Sequence, residues 1–292
     1  MLNRIAGLQT GDHVCWSYAS DAEHRHVLTT YFAEGIARGE RVVYLAGDAA
    51  AARVLDALRD GGQPVDRLVA SGQLVVKAAE EAYTPGGVFD PDALLDLLRS
   101  WVEEAAQKGW TGVRGAGEAA WLLGRPDVEG RWGGYELRVD MLASRLPYTG
   151  LCCYDLRVCD TAATLISQAV HPLQLAPPDP DDRPLFGVHG TADGGLELAG
   201  EIDCWSAEEV RVLLATVAGD LGAPVLDVSQ LRFVDVAAMR MIGAATGDLA
   251  RAHGRVALAG TSPTFRKVWG TPSCTGPTSS WSRRWCRSSR KA

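Results

Sequence analysis

Gly39-Glu40-Arg41-Val42-Val43-Tyr44-Leu45-Ala46 sets the architecture of the first half of this chain. A glycine and charged residues lead into an unbroken apolar run. A run of this length without alternation is the pattern of a strand buried on both faces. Gln73-Leu74-Val75-Val76, Gly112-Val113-Arg114-Gly115 and Gly150-Leu151-Cys152-Cys153-Tyr154 read the same way. Helical patterns lie between them. Ala93, Leu94, Leu97, Leu98, Trp101, Val102 and Ala105 recur at helical spacing, and Asp90-Pro91 supplies a cap and a first-turn proline. Strands alternating with helices predict an α/β fold with a mostly parallel sheet covered on both faces.

The pattern breaks at Ala176-Pro177-Pro178-Asp179-Pro180-Asp181-Asp182-Arg183-Pro184. Such proline density continues neither a helix nor a central strand, so 176–184 is read as a linker. A smaller α/β unit follows over 185–270. Leu185–Val188 and Leu196–Gly200 form an expected hairpin around Asp193-Gly194-Gly195. Ser206 is placed to cap a helix over 207–219, with Glu209 at the capping-box position. Pro224–Val228 and Arg255–Ala259 are expected strands flanking an amphipathic helix over 236–251. Residues 271–292 show no periodicity and carry Arg283, Arg284, Arg287, Arg290 and Lys291 without an acid. Two readings stay open there: a disordered basic tail, or an end written in a shifted frame.

At 292 residues and 47% hydrophobic composition, the chain is long and apolar enough for two ordinary domains. The formal charge of −7 argues against nucleic acid as a partner of the whole surface. No apolar run is long enough for a transmembrane helix, and Met1-Leu2-Asn3-Arg4-Ile5 does not open a signal peptide. A cytoplasmic protein with no membrane contact is expected. The seven cysteines are scattered without a Cys-x-x-Cys pair, so reduced thiols are expected and no metal or cofactor is assigned.

Phosphate chemistry loses support at its key residue. None of Lys77, Lys108, Lys267 and Lys291 follows a glycine and precedes Ser or Thr, as a phosphate-binding loop demands. Gly115-Ala116-Gly117 lacks the third glycine of a dinucleotide fingerprint. The oddest local feature is Gly11-Asp12-His13-Val14-Cys15, where His13 and Cys15 share one face of a strand. Glu118, Cys152 and Tyr154 also fall at the ends of strands. Ligand sites of parallel sheets gather at the carboxyl edge. His13, Cys15, Glu118, Cys152 and Tyr154 are therefore expected to converge there on one small-ligand site. Histidine, thiol and carboxylate together suit a small polar ligand or a soft metal; a hydrogen-bonded core histidine with inert thiols is the competing reading.

These residues carry a family resemblance. Gly11–Cys15, Ala33-Glu34-Gly35, Gly39–Leu45, Ser71–Leu74, Phe89-Asp90-Pro91, Gly117-Glu118, Cys152–Asp155 and His171-Pro172 resemble, in order and spacing, the MEDS sensory domain over about residues 9–175. The resemblance implies a RecA-like sheet without its nucleotide loop and a role in sensing small molecules. Leu198–Asp203 and Val225–Asp235 resemble a STAS domain, the fold of anti-sigma-factor antagonists, over about 185–270. That implies docking on a kinase-type anti-sigma factor through Asp203, Asp235, Val236, Ala237 and Ala238. The chain departs from the family at the phosphoacceptor: Ala237 stands where a serine is usual. It has no hydroxyl to phosphorylate, and Ser229 lies before the helix.

The reading is of domains 1–175 and 185–270 forming a non-enzymatic signalling regulator, with a small ligand at the first and a kinase-type anti-sigma factor or STAS-assembly protein at the second. The alternatives are an enzyme using His13, Cys15 and Glu118, and a structural subunit of a STAS assembly.

Overall fold

The computed structural model describes residues 5, 7–122, 125–128, 130–159, 161–175, 184–216, 225–253 and 256–261. The chain divides into two compact units, Met1–Gly194 and Gly195–Ala292. The proline-rich stretch 176–183 and the tail 271–292 lie outside the described residues. No helix among the described residues is long and apolar enough to cross a membrane.

The first unit carries a six-stranded sheet: β1 His13–Tyr18, β2 Arg41–Ala46, β3 Leu74–Ala78, β4 Val113–Glu118, β5 Tyr148–Asp155 and β6 Leu173–Leu175. Their order is β3-β2-β4-β5-β1-β6, and every pair is parallel. The α/β architecture and parallel sheet expected from the sequence are what the chain adopts. All residues of β1, β2 and β4 are buried, which accounts for their lack of alternation. Helices α1 Asp21–Ala37, α2 Asp48–Asp60, α3 Val65–Ser71, α4 Ala79–Tyr83, α5 Pro91–Gln107, α6 Trp132–Ala143 and α7 Thr161–Ala169 connect them.

The connection from β1 to α1 is short and holds no glycine-rich loop. Ser20 caps α1, its hydroxyl accepting the Glu23 N–H at 3.2 Å. Helix α5 starts as its sequence dictates: Asp90 Oδ1 accepts the Ala93 N–H at 3.0 Å, with Pro91 in the first turn. Leu94, Leu95, Leu98, Trp101, Val102 and Ala105 form its buried face. Each large apolar side chain so buried contributes roughly 1.5–3 kcal/mol.

Two cores result, one on each side of the sheet. Val43, Leu45, Leu98, Trp132, Tyr135 and Tyr154 belong to one. Trp16, Leu28, Phe32, Tyr44, Leu58 and Cys153 belong to the other. Within the second core Arg114 is completely buried, paired with Glu40 and set over the Tyr31 ring at 4.8 Å. Gly35 makes room for it: a Cβ there would lie 2.6 Å from Arg114 Cδ.

The second sheet has the order β10-β9-β8-β7, from β7 Phe186–Gly190, β8 Leu196–Ile202, β9 Val225–Val234 and β10 Ala257–Ala259. β8–β9 and β9–β10 are parallel. Helix α8 Ala207–Thr216 and helix α9 Val236–His253 complete the described part.

Candidate functional site

The five residues expected at one site fall into two clusters on opposite faces of the first sheet. Side chains of neighbouring parallel strands share a face where their residues are in register. Cys15 is in register with Cys152, and His13 with Gly150 two residues earlier. His13, Cys15, Cys152 and Tyr154 therefore lie on one face. Glu118 is in register with Cys153, on the other. The expectation of a single site at the carboxyl edge fails for a simple reason of pleat. Glu118 is one position out of step with the face that carries Cys152. His13 moreover opens β1, rather than ending it.

The first cluster joins His13 to three residues from separate elements. His13 Nε2 lies 3.3 Å from Cys152 Sγ and 3.4 Å from Glu136 Oε2. Cys152 Sγ donates to Glu136 Oε2 at 3.3 Å. His171, between α7 and β6, places Nε2 3.5 Å from the same oxygen, and its ring packs on that of His13 with centroids 4.0 Å apart. One donor atom from each of His13, Glu136, Cys152 and His171 falls within 4.8 Å of all the others. Cys15 is buried on this face but outside that set.

Surrounding groups orient the cluster. Tyr154 donates its hydroxyl to Glu136 Oε1 at 2.6 Å and accepts the Trp132 indole N–H at 3.2 Å. His171 Nδ1 lies 2.5 Å from the Ser167 carbonyl, a pure acceptor, so that nitrogen carries the proton. His13 Nδ1 lies 3.6 Å from Asp140 Oδ1, while Asp140 Oδ2 accepts the Gly190 N–H at 2.5 Å. Burial alone would lower His13, but Asp140 and Glu136 outweigh it and raise it to about 9. Burial and the neighbouring His13 lower His171 to about 4. Burial works to raise Glu136, yet its hydrogen bond to His13 and the charges of both histidines bring it below the ordinary range. Burial and the Glu136 charge push the Cys152 thiol well up.

Glu136, Asp140 and His171 were absent from the expected site. Glu136 and Asp140 sit one turn apart on α6, a helix buried at every residue except Arg138. Two acids at i and i+4 in so apolar a helix are a legible signal, because they point the same way and burial demands partners for both.

The second cluster surrounds Glu118 at the carboxyl ends of β1 and β4. Its carboxylate meets His24 Nε2 at 2.5 Å and accepts the hydroxyls of Tyr44 at 2.8 Å and Tyr18 at 3.1 Å. Trp16 stacks on His24 with centroids 6.0 Å apart. A Cβ at Gly117 would collide with the Tyr83 hydroxyl, which fixes glycine beside Glu118.

In the second unit, Asp203 and Asp235 brace one loop. Asp235 Oδ1 accepts the Ala238 N–H at 2.7 Å, capping α9, and Oδ2 accepts the Cys204 N–H at 2.9 Å. Asp203 Oδ1 accepts the N–H groups of Trp205 and Ser206, each at 3.0 Å. Ser206 turns its hydroxyl to Asp203 at 3.0 Å. On the braced loop Trp205 is 83% exposed, and Phe233 near the end of β9 and Val236 opening α9 are each 53% exposed. Ala237 is exposed, whereas Ala238 is buried beneath the helix start. Trp205 and Phe233 were not among the expected contact residues.

Known proteins match both units. A family model described as the MEthanogen/methylotroph, DcmR Sensory domain matches residues 12–172. A second, described as Mlab, STAS domain, matches residues 189–269. The chain is similar to the transcriptional repressor DcmR of Methylorubrum extorquens (strain DSM 6343 / CIP 106787 / DM4), with 26% identity over 171 residues. That stretch is 58% of this chain and 62% of the relative, so the chain spans less than two thirds of the relative's length.

Proposed function

The chain belongs to the MEDS family and carries a STAS domain after the sensory one, and from that premise we propose that it is a non-enzymatic signalling regulator. Its first domain senses a small ligand. Its second docks on a kinase-type anti-sigma factor or a related STAS-assembly protein. The transcriptional repressor among its relatives supports a regulatory role.

The observation that carries the docking half is the exposure of three apolar side chains: Trp205, on the loop that Asp203 and Asp235 fix from both sides, Phe233 near the end of β9 and Val236 at the start of α9. Exposed aromatic side chains on a rigid frame are the usual anchors of a protein interface. A flexible loop would forfeit that energy on ordering.

Two features favour sensing over catalysis in the first domain. Glu118 already accepts from His24, Tyr44 and Tyr18, which leaves it poorly placed as a general base. The Cys152 thiol is pushed up, whereas a nucleophilic cysteine needs the opposite.

Calorimetric titration of the full chain with a purified kinase-type anti-sigma factor tests the reading. Trp205→Ala and Phe233→Ala should each weaken binding by about tenfold or more, the scale of an interface anchor. Asp235→Lys should weaken it further by freeing the loop. Unchanged affinity in variants that keep their circular dichroism would contradict the docking surface.

A further inference from the structure

We propose that His13 Nε2, Glu136 Oε2, Cys152 Sγ and His171 Nε2 form a binding site for one transition-metal dication of the zinc class. The site stands on its own geometry and does not depend on the sensor reading.

The spacing of the four atoms is the first support. In a tetrahedral zinc site with bonds of about 2.0–2.3 Å, neighbouring ligand atoms lie roughly 3.3–3.8 Å apart. The separations are 3.3 Å for His13–Cys152, 3.4 Å for His13–Glu136, 3.3 Å for Cys152–Glu136 and 3.5 Å for His171–Glu136. The two remaining separations are within 4.8 Å. These are four edges of a tetrahedron with the right length, drawn from three secondary-structure elements and one connection.

The outer shell is the second support. Metal-bound histidines hand their other ring N–H to a carboxylate or a backbone carbonyl. His171 shows the carbonyl arrangement, with Nδ1 on the Ser167 carbonyl; His13 Nδ1 faces the Asp140 carboxylate at 3.6 Å, without a hydrogen bond. Tyr154 occupies Glu136 Oε1 and leaves Oε2 for the site.

The third support is a buried atom without a partner. His171 is 2% exposed, and its Nε2 has no hydrogen-bond partner. With the proton on Nδ1, Nε2 turns a lone pair toward the Glu136 carboxylate at 3.5 Å. Lone pair and anion repel, and a cation between them removes the conflict. Binding would release the Cys152 thiol proton, and the Nε2 proton of His13 where that ring is charged, to solvent, and form the thiolate–metal and imidazole–metal bonds. The dication then balances the Glu136 carboxylate and the Cys152 thiolate, leaving the buried ligand set neutral. A set of two imidazoles, one thiolate and one carboxylate suits zinc, cobalt or iron(II) better than calcium or magnesium.

The test uses the full chain with Cys274→Ser and Cys286→Ser, stripped with a chelator, kept reduced and titrated with Co²⁺. One cobalt per chain should bind, with the near-ultraviolet band of a thiolate–cobalt bond and the intense visible bands of tetrahedral cobalt, and Zn²⁺ should abolish both. Cys152→Ser should lose the near-ultraviolet band while Cys204→Ser keeps it. His171→Gln should weaken cobalt binding by more than about tenfold. Absence of the band in folded, stripped protein with excess cobalt would overturn the proposal, as would its survival in Cys152→Ser. If Cys152→Ser loses its circular dichroism, the parent titration and His171→Gln still separate the two outcomes.

Discussion

His13 Nε2 and Glu136 Oε2 lie 3.4 Å apart with both side chains out of reach of solvent, and Asp140 stands 3.6 Å from the other nitrogen of the same ring. One imidazole thus bridges two acids one helical turn apart on α6. A buried bridge of this kind fixes the helix to the sheet through charge as well as through packing.

That bridge makes Asp140 testable apart from the ligands. Asp140→Asn keeps the shape and removes the charge facing His13 Nδ1. Zinc affinity should fall about 10–100-fold, the usual effect of altering an outer-shell partner. With zinc at about 100 times its Kd, the parent chain should gain about 2.7 kcal/mol against unfolding. Urea titration with and without zinc reads both effects, and an equal zinc-dependent gain in Asp140→Asn at the same zinc concentration would contradict the role given to Asp140.

Glu118 lies on the other face and should behave independently. Glu118→Gln replaces an acceptor that His24, Tyr44 and Tyr18 share by an amide that can satisfy fewer of them. A loss of roughly 1–3 kcal/mol is expected. Cobalt binding at His13 should stay as in the parent. A change in the cobalt spectrum would show that the two faces communicate.

The pairing of Arg114 and Glu40 predicts a non-additive pair of substitutions. Arg114→Met alone strands the Glu40 carboxylate in the core and should cost about 3–5 kcal/mol. Adding Glu40→Gln should return part of that loss. Chemical denaturation of the single and double variants measures the difference, and simple additivity would contradict the ion pair.

The strands are legible in the sequence because parallel strands buried on both faces write themselves as short apolar runs, as Arg41–Ala46 does. The cap of α5 is legible because Asp90-Pro91 satisfies local rules alone. The site is legible only in part. Strand alternation pairs His13 with Cys15 and Cys152 with Tyr154, but that the two pairs share a face is set by the register between β1 and β5. Glu118 falls on the other face because the register between β4 and β5 is a tertiary fact that no single strand encodes. Glu136 and His171 come from a helix and a connection far apart in sequence, so no local spacing of the Cys-x-x-Cys kind announces them. Trp205 carries no local signal either: the loop that presents it is tied in part by Asp235, which reaches across 31 positions to the Cys204 N–H.

Docking on a kinase-type anti-sigma factor, as proposed above, would run without a phosphate switch at residue 237. The direct measurement is the affinity for such a factor before and after incubation with ATP, paired with the intact mass of this chain. Ala237 has no hydroxyl, so a phosphate of roughly −1.5 to −2 charge cannot be placed at the start of α9. The expected result is binding before ATP, the same binding after it, and no added phosphate on this chain. No binding at all, or release by ATP with phosphate found near this position, for instance on Ser229, would contradict it.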